Sequence, residues 1–163
     1  MGLGQRRPRG KIAVNSAGQG MMDTRTVTVR SKADALAQEI VIGRHRLSAD
    51  EPTSLGGTDT GPNPYDLLLA ALGSCKSITV TMYARRKAWP LDSVTVRLRH
   101  EKVHANDCES CESEDVLLDR IECDVEFGGK LTAEQRARLL EIANRCPVHR
   151  TLTSEIDIRT RLL

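Results

Sequence analysis

The stretch NPYDLLLAALGSCKSITVTMYARRK, residues 63–87, decides the fold of this chain. It begins with a helix start signal: Asn63 suits the N-cap, Pro64 the first helical position, and Asp66 the third, where a carboxylate favours the positive helix end. The Trp-Pro pair at 89–90 ends the helix. A helix of about 24 residues that is apolar or small on almost every side is typical of the interior of a fold. We therefore predict one long central helix.

Segments on both sides of this helix show the period of two that is typical of strands, at residues 26–30, 39–43, 93–103, 118–129 and 154–163. The first two predict a hairpin. A second helix is predicted over 131–146, because Thr132 and Gln135 form a capping box at its start and Pro147 follows its end. The order ββ, helix, ββ, helix, β predicts an α+β domain in which antiparallel sheets wrap a buried helix.

Length and composition indicate one globular domain. The chain has 163 residues, of which 39% are hydrophobic, and this suits a single core. Residues 1–23 are rich in Gly and Arg and show no apolar period, so they are predicted to form a disordered tail. Residues 24–163 are predicted to form the single domain.

The charge balance argues against nucleic acid as a partner. The 24 basic and 22 acidic side chains leave a net charge of +2, and aromatic residues make up only 2% of the chain, so little can stack on bases. No stretch reaches the roughly 18 uninterrupted apolar residues of a membrane span, and the N-terminus lacks the apolar core of a secretion signal. We predict a cytoplasmic protein that binds neither nucleic acid nor membrane.

Five cysteines at irregular spacing do not form the pattern of a disulfide scaffold. Helix geometry predicts that Cys75 faces the packed interior, on one stripe with Leu68, Ala71, Leu72, Ile78, Thr79 and Met82. Cys146 shares a stripe of the second helix with Leu139 and Ala143. Both sulfurs are therefore predicted to point into the core, although spacing alone leaves open whether they meet.

The surroundings of these two cysteines differ. Cys146 precedes a proline, and PVHRTL, residues 147–152, can start a new helical turn whose N-terminus favours a thiolate. Cys75 lies about three turns inside its helix, beyond the reach of the helix dipole. If Cys75 is a nucleophile, a cation from elsewhere in the fold must stabilise its thiolate.

Cys108 and Cys111 form a C-x-x-C motif. His104 and Cys123 could in principle complete four zinc ligands with them. Five nearby carboxylates oppose thiolate formation, so a solvated acidic loop is favoured and no metal is predicted. Cys123 lies in an alternating strand and is interpreted as a packing residue.

Two separated signatures resemble the OsmC/Ohr family of thiol-dependent peroxidases. One is SLGGTDTGPNPYDLLLAALGSCKSITVTMYARRKAWPL, residues 54–91, and the other is KLTAEQRARLLEIANRCPVHRTL, residues 130–152. The resemblance extends over most of residues 25–163. It implies an OsmC-like α+β fold, with two antiparallel sheets wrapped around long central helices in an intertwined homodimer that has interfacial active sites.

The resemblance also implies a reaction that needs no cofactor. Cys75 would attack an organic hydroperoxide and pass through a sulfenic acid, and Cys146 would resolve it as a disulfide. A dithiol of lipoyl type or another small thiol would restore both cysteines. The expected role is therefore oxidative stress defence.

At one position the sequence departs from the peroxidases of this family. They pair an Arg with a Glu to hold the thiolate, but here Tyr65 stands directly after Asn-Pro, where they have the Glu. Asp66 is the nearest substitute, and Arg30 on the first strand is the candidate cation. Asp66 lies roughly 13 Å along the helix from Cys75, so it could reach only the partner's site. The chain looks closer to a less characterised branch, and a non-catalytic ligand-binding or redox-sensing protein is the alternative.

Overall fold

A computed structural model describes residues 26–104 and 117–162 of the chain. The tail predicted at 1–23 lies outside this part, and so do Cys108 and Cys111. The elements in chain order are β1 (Val27–Ser31), β2 (Gln38–Ile42), β3 (His45–Ala49), a 3-10 turn (Thr53–Leu55), α1 (Pro64–Arg86), β4 (Ser93–His104), β5 (Leu117–Gly128), α2 (Ala133–Ala143) and α3 (Pro147–Leu152).

The strands form two antiparallel sheets, as predicted. The first has the order β1-β2-β3, and the second is the long hairpin β4-β5. The pairing of β1 with β2 confirms the predicted first hairpin. The strand β3 was not predicted from the sequence. Leu47 is the only large apolar residue in this strand, so β3 lacks the alternation of apolar and polar residues that indicates a strand. A turn signal was present, since Gly43 takes a positive φ of 58° in the two-residue turn between β2 and β3.

The predicted start of the long helix is confirmed in detail. The Asn63 side chain accepts a hydrogen bond from the Asp66 backbone N–H at 3.0 Å, and the Asp66 carboxylate accepts one from the Asn63 N–H at 3.1 Å. This capping box satisfies two N–H groups at the start of α1. After the helix ends, Ala88 takes a positive φ of 51°, and the chain turns into β4.

One side of α1 packs against α2 and the β4-β5 sheet. The core of this contact consists of Val80, Ala84, Phe127, Leu139 and Ala143. Gly73 lets the helix approach the sheet closely, because a Cβ there would lie 2.8 Å from Leu98 Cδ1. A larger residue at this position would force the Leu98 side chain to move.

The strand predicted at 154–163 is wrong for the part that the structure describes. Residues 155–162 belong to no strand, and Ile156, Ile158 and Leu162 are exposed. An alternating sequence forms a strand only where another strand offers an edge to pair with. In the described part of the chain, the segment pairs with no strand.

By length and composition alone, α1 could also cross a membrane. The core helix of a soluble protein meets the same criterion. Lys76, in the middle of α1, is 1% exposed and hydrogen-bonded to protein groups, and the helix packs on a sheet and a second helix. We therefore interpret α1 as a core helix.

Candidate functional site

The structure brings Cys75 and Cys146 together from different elements. Cys75 lies in the middle of α1, and Cys146 lies between α2 and α3. The two thiols are close enough for Cys75 to raise the pKa of Cys146, and both are free. Cys146 is fully buried and Cys75 is half-buried. The pair therefore combines an accessible sulfur with a protected one.

Cys146 occupies the N-cap of α3, as the Cys-Pro sequence predicts. Its Sγ accepts a hydrogen bond from the backbone N–H of His149 at 3.4 Å. Burial raises the pKa of the Cys146 thiol, the contact with His149 lowers it by less, and the neighbouring Cys75 raises it further. The expected preference of Cys146 for the thiolate is therefore outweighed by its burial.

The orientation of α1 corrects one sequence prediction. The residues that α1 buries in this chain are Leu72, Gly73, Lys76, Val80 and Ala84. Ile78 and Met82, predicted to face the interior with Cys75, are 59% and 67% exposed. Cys75 thus lies at the border between a buried face and an open one. A helix that is apolar nearly all round carries no periodic signal that could have indicated which face is covered.

Lys76 is a site residue that the sequence analysis missed. Its side chain is buried, and its Nζ lies 3.4 Å from the Ala143 carbonyl oxygen, 3.1 Å from Asn144 Oδ1 and 3.3 Å from His149 Nδ1. It therefore joins the end of α2 to α3 on both sides of Cys146. The available signal was a single lysine within an apolar helix, at an interval of four residues from Leu72.

The two other predicted site residues lie elsewhere in this chain. The Asp66 carboxylate belongs to the capping box of α1, nine residues before Cys75. Arg30 is exposed on β1, opposite Glu39 of β2. The structure of one chain does not bring either of them to the cysteine pair.

Tyr65 also points away from the cysteines. Its ring stacks on His100 of β4, with centroids 4.4 Å apart and planes 11° from parallel. His100 Nε2 lies 2.8 Å from Asp119 Oδ1, a contact that lowers the pKa of that carboxyl together with Lys102. The residue that replaces the expected Glu thus packs α1 onto the second sheet.

Two cavities are lined by residues near the cysteine pair. The first, about 480 Å³, is an open and mainly apolar groove lined by Thr79, Met82, Tyr83, Arg86, Ile142, Arg145 and Pro147. Neither cysteine lines it, but the Thr79 hydroxyl donates to the Cys75 carbonyl oxygen at 2.7 Å and Pro147 follows Cys146 in the chain. The second, about 310 Å³, is lined by Leu72, Lys76, Asp119, Ile121, Cys123, Asn144, His149, Leu152 and Thr153.

Cys123 lines the second cavity without joining the pair. Burial raises the pKa of its thiol, and the positive charge of Lys76 opposes this rise. Within residues 26–104 and 117–162, the structure brings together no group of three His, Cys, Asp or Glu side chains that could hold a metal ion. The zinc alternative involves Cys108 and Cys111, which lie outside the described residues.

Comparison with known proteins agrees with this fold. The family model of OsmC-like proteins matches residues 57–161. An OsmC-like protein from Mycoplasma pneumoniae is similar in structure, with a TM-score of 0.64 and 18% identity over 81% of this chain and 89% of that one. The organic hydroperoxide resistance protein OhrB of Bacillus subtilis gives a TM-score of 0.57 and 18% identity over 82% and 93%.

A third structure is similar over a comparable length. It is described as an organic hydroperoxide resistance protein OsmC and predicted redox protein from Legionella pneumophila, and it gives a TM-score of 0.60 and 16% identity over 83% of this chain and 93% of that one. No curated protein sequence matches the chain significantly. The family match includes both cysteines of the pair and most of the described chain, and the chain therefore belongs to the OsmC-like protein family.

Proposed function

We propose that this protein is a thiol-dependent peroxidase that reduces organic hydroperoxides with Cys75 and Cys146. The observation that carries the proposal is the contact between a half-buried sulfur and a buried one, beside an open groove. Membership of a family that includes hydroperoxide resistance proteins supports it.

The proposed reaction has three steps. The Cys75 thiolate attacks one oxygen of the O–O bond, which breaks and releases an alkoxide that takes up a proton to become the alcohol. Cys146 then attacks the sulfur of the Cys75 sulfenic acid, so that an S–S bond forms and water leaves. A dithiol of lipoyl type or another small thiol reduces this disulfide by exchange and becomes a disulfide itself.

The division of roles follows from exposure and from the groove. Cys75 is the more accessible sulfur, so it is assigned the attack, and the fully buried Cys146 is assigned the resolving step. The groove beside them has an apolar lining, including Met82 and Ile142. An apolar lining favours hydroperoxides that carry alkyl or aryl groups. Because the reaction begins from reduced thiols, we propose the cytoplasm as its location.

We also propose that the protein acts as a homodimer. Ile78 and Met82 leave an apolar face of α1 open in one chain, and apolar residues of the first sheet and the C-terminal segment are exposed as well, including Val27, Val29, Leu47 and Ile158. Burial of these surfaces between two copies would stabilise both. In such a dimer, Asp66 and Arg30 would serve the partner's cysteine pair.

Hydroperoxide consumption tests the proposed function. We expect Cys75→Ser to lower the rate with cumene hydroperoxide and dihydrolipoamide by at least about 100-fold, because a hydroxyl is a poor nucleophile at neutral pH. Cys123→Ser is the matched control, since it removes a thiol that lies outside the pair, and it should leave the rate within about twofold. Equal rates for wild type and Cys75→Ser would contradict the proposal.

That negative result would favour the second candidate, a ligand-binding or redox-sensing protein without turnover. The observation behind it is that Tyr65 packs on His100 in place of an acidic residue near the thiol. A redox sensor would still oxidise Cys75 but would show no sustained consumption of peroxide.

A further inference from the structure

We propose that Lys76 is the positioning residue of the cysteine pair: it holds the segment that carries Cys146 and supplies the buried positive charge on both flanks of this cysteine. Arg30, the candidate cation predicted from the sequence, is exposed on β1. The importance of Lys76 for turnover depends on the proposed peroxidase function. The effect of Lys76 on the thiols does not depend on that function and can be measured without peroxide.

The hydrogen bonds of Lys76 give it the positioning role. A lysine ammonium has three N–H donors, and three acceptors surround Nζ: the Ala143 carbonyl, the Asn144 amide oxygen and His149 Nδ1. The first two lie just before Cys146, and the third lies just after it. One side chain of α1 therefore fixes both flanks of the buried cysteine.

This arrangement also determines the tautomer of His149. If Nδ1 accepts from Lys76, a neutral His149 carries its proton on Nε2. Burial lowers the pKa of His149, and the positive charge of Lys76 lowers it further, so the neutral ring is favoured. The backbone N–H of the same residue donates to Cys146 Sγ. His149 thus connects the lysine to the resolving sulfur.

The charge of Lys76 is the second part of its role. All three acceptors are uncharged, and a buried cation without an anionic partner is costly. A thiolate formed beside it reduces that cost, and the charge of Lys76 lowers the pKa of Cys146.

The other titratable groups around Lys76 come from two neighbouring elements. Asp119 and Cys123 of β5 line the same cavity, as does His149 of α3. Asp119 is already bound by His100 and Lys102, and the neutral forms of Cys123 and His149 are favoured by burial. The charge of Lys76 lowers the pKa of both Cys123 and Cys146, and of these two thiols only Cys146 belongs to the pair and lies between the groups that Lys76 binds.

Alkylation of Cys146 in the full, reduced protein tests the proposal. The rate with iodoacetamide is measured from pH 5 to 10, and the labelled residue is identified by mass spectrometry. We expect Lys76→Met to slow alkylation of Cys146 about tenfold at pH 7 and to shift its profile to higher pH, because the variant removes the positive charge that lowers the pKa of this thiol. Lys76→Arg, which keeps the charge, should restore much of the rate.

Two controls separate charge from stability. Lys130→Met removes an exposed positive charge, and Leu139→Ala weakens the core without removing charge. Neither should shift the pH profile. A Lys76→Met profile that coincides with wild type would overturn the proposal.

A second measurement covers the case in which Lys76→Met does not fold. Nitrogen-15 NMR of wild-type His149 should show a bare Nδ1 and a protonated Nε2, and the opposite tautomer would overturn the assigned contact. The absence of peroxide turnover would contradict the proposed function, whereas these two readouts would still decide the role of Lys76.

Discussion

The two faces of α1 differ in how far a single chain completes them. One face, with Val80 and Ala84, is covered by α2 and the β4-β5 sheet and is almost fully buried. The other presents Ile78 and Met82, which are more than half exposed. Cys75 lies at the border. The difference indicates that the two sides of one helix serve different contacts: the covered side supports the core of one chain, and the open side is apolar surface that the proposed dimer would bury.

The largest expected effect concerns the covered face. Leu139 of α2 is fully buried against it, and Leu139→Ala should lower the free energy of unfolding by about 2–5 kcal/mol, because it removes apolar contacts and leaves a cavity. Leu140→Ala is the matched control on the same helix, since Leu140 is 47% exposed and should cost well under half as much. Urea unfolding measures both. Similar losses of unfolding free energy in the two variants would contradict the expected difference between a buried and an exposed position.

A smaller effect is expected at the connection between the first sheet and α1. The buried Asp50 carboxylate accepts hydrogen bonds from the backbone and hydroxyl groups of both Thr58 and Thr60, and these contacts hold its pKa well below the usual range. A group with a lowered folded-state pKa stabilises the protein above its unfolded pKa of about 3.9 and loses that contribution as the pH falls further.

Asp50→Asn should therefore lower the urea midpoint at pH 7, and the gap from wild type should narrow between pH 4 and pH 2. Asp59→Asn is the control, because Asp59 is an exposed residue of the same loop. If the difference between the urea midpoints of Asp50→Asn and wild type stays constant with pH, the negative charge of Asp50 is not the cause of the lost stability.

The smallest effect on the folding of one chain is expected on the open face. Met82→Glu should change monomer stability by about 0.5 kcal/mol or less, because this side chain is exposed. In a homodimer, however, it would place two charges in an apolar contact and prevent association. Leu55→Glu is the control, with the same 67% exposure in the 3-10 turn. Light scattering should show wild type and Leu55→Glu as dimers and Met82→Glu as a monomer. A monomeric wild type would contradict the proposed dimer.

The sequence was most informative where local chemistry alone determines structure. Asn63, Pro64 and Asp66 predict the start of α1, and the Cys-Pro pair at 146–147 predicts a new helical turn, because caps and prolines act within a few residues. The two long strands β4 and β5 were predicted for a similar reason, since the alternation extends over about a dozen residues in each.

The features that the sequence could not predict depend on contacts between distant residues. The strand β3 has little alternation and is formed by its pairing with β2. The C-terminal segment does alternate but pairs with no strand in the described chain. The burial of Lys76 depends on acceptors 67 to 73 residues away, so an apolar helix with one lysine did not reveal its role.

The central claim is that Cys75 and Cys146 form one redox pair, and peptide mapping of the oxidised protein tests it most directly. Reduced protein is treated with one equivalent of cumene hydroperoxide, blocked with an alkylating reagent and digested without reductant. The account predicts a Cys75–Cys146 disulfide, with Cys123 recovered as the alkylated thiol. A map in which Cys75 and Cys146 remain unpaired while Cys108 and Cys111 are oxidised would contradict it.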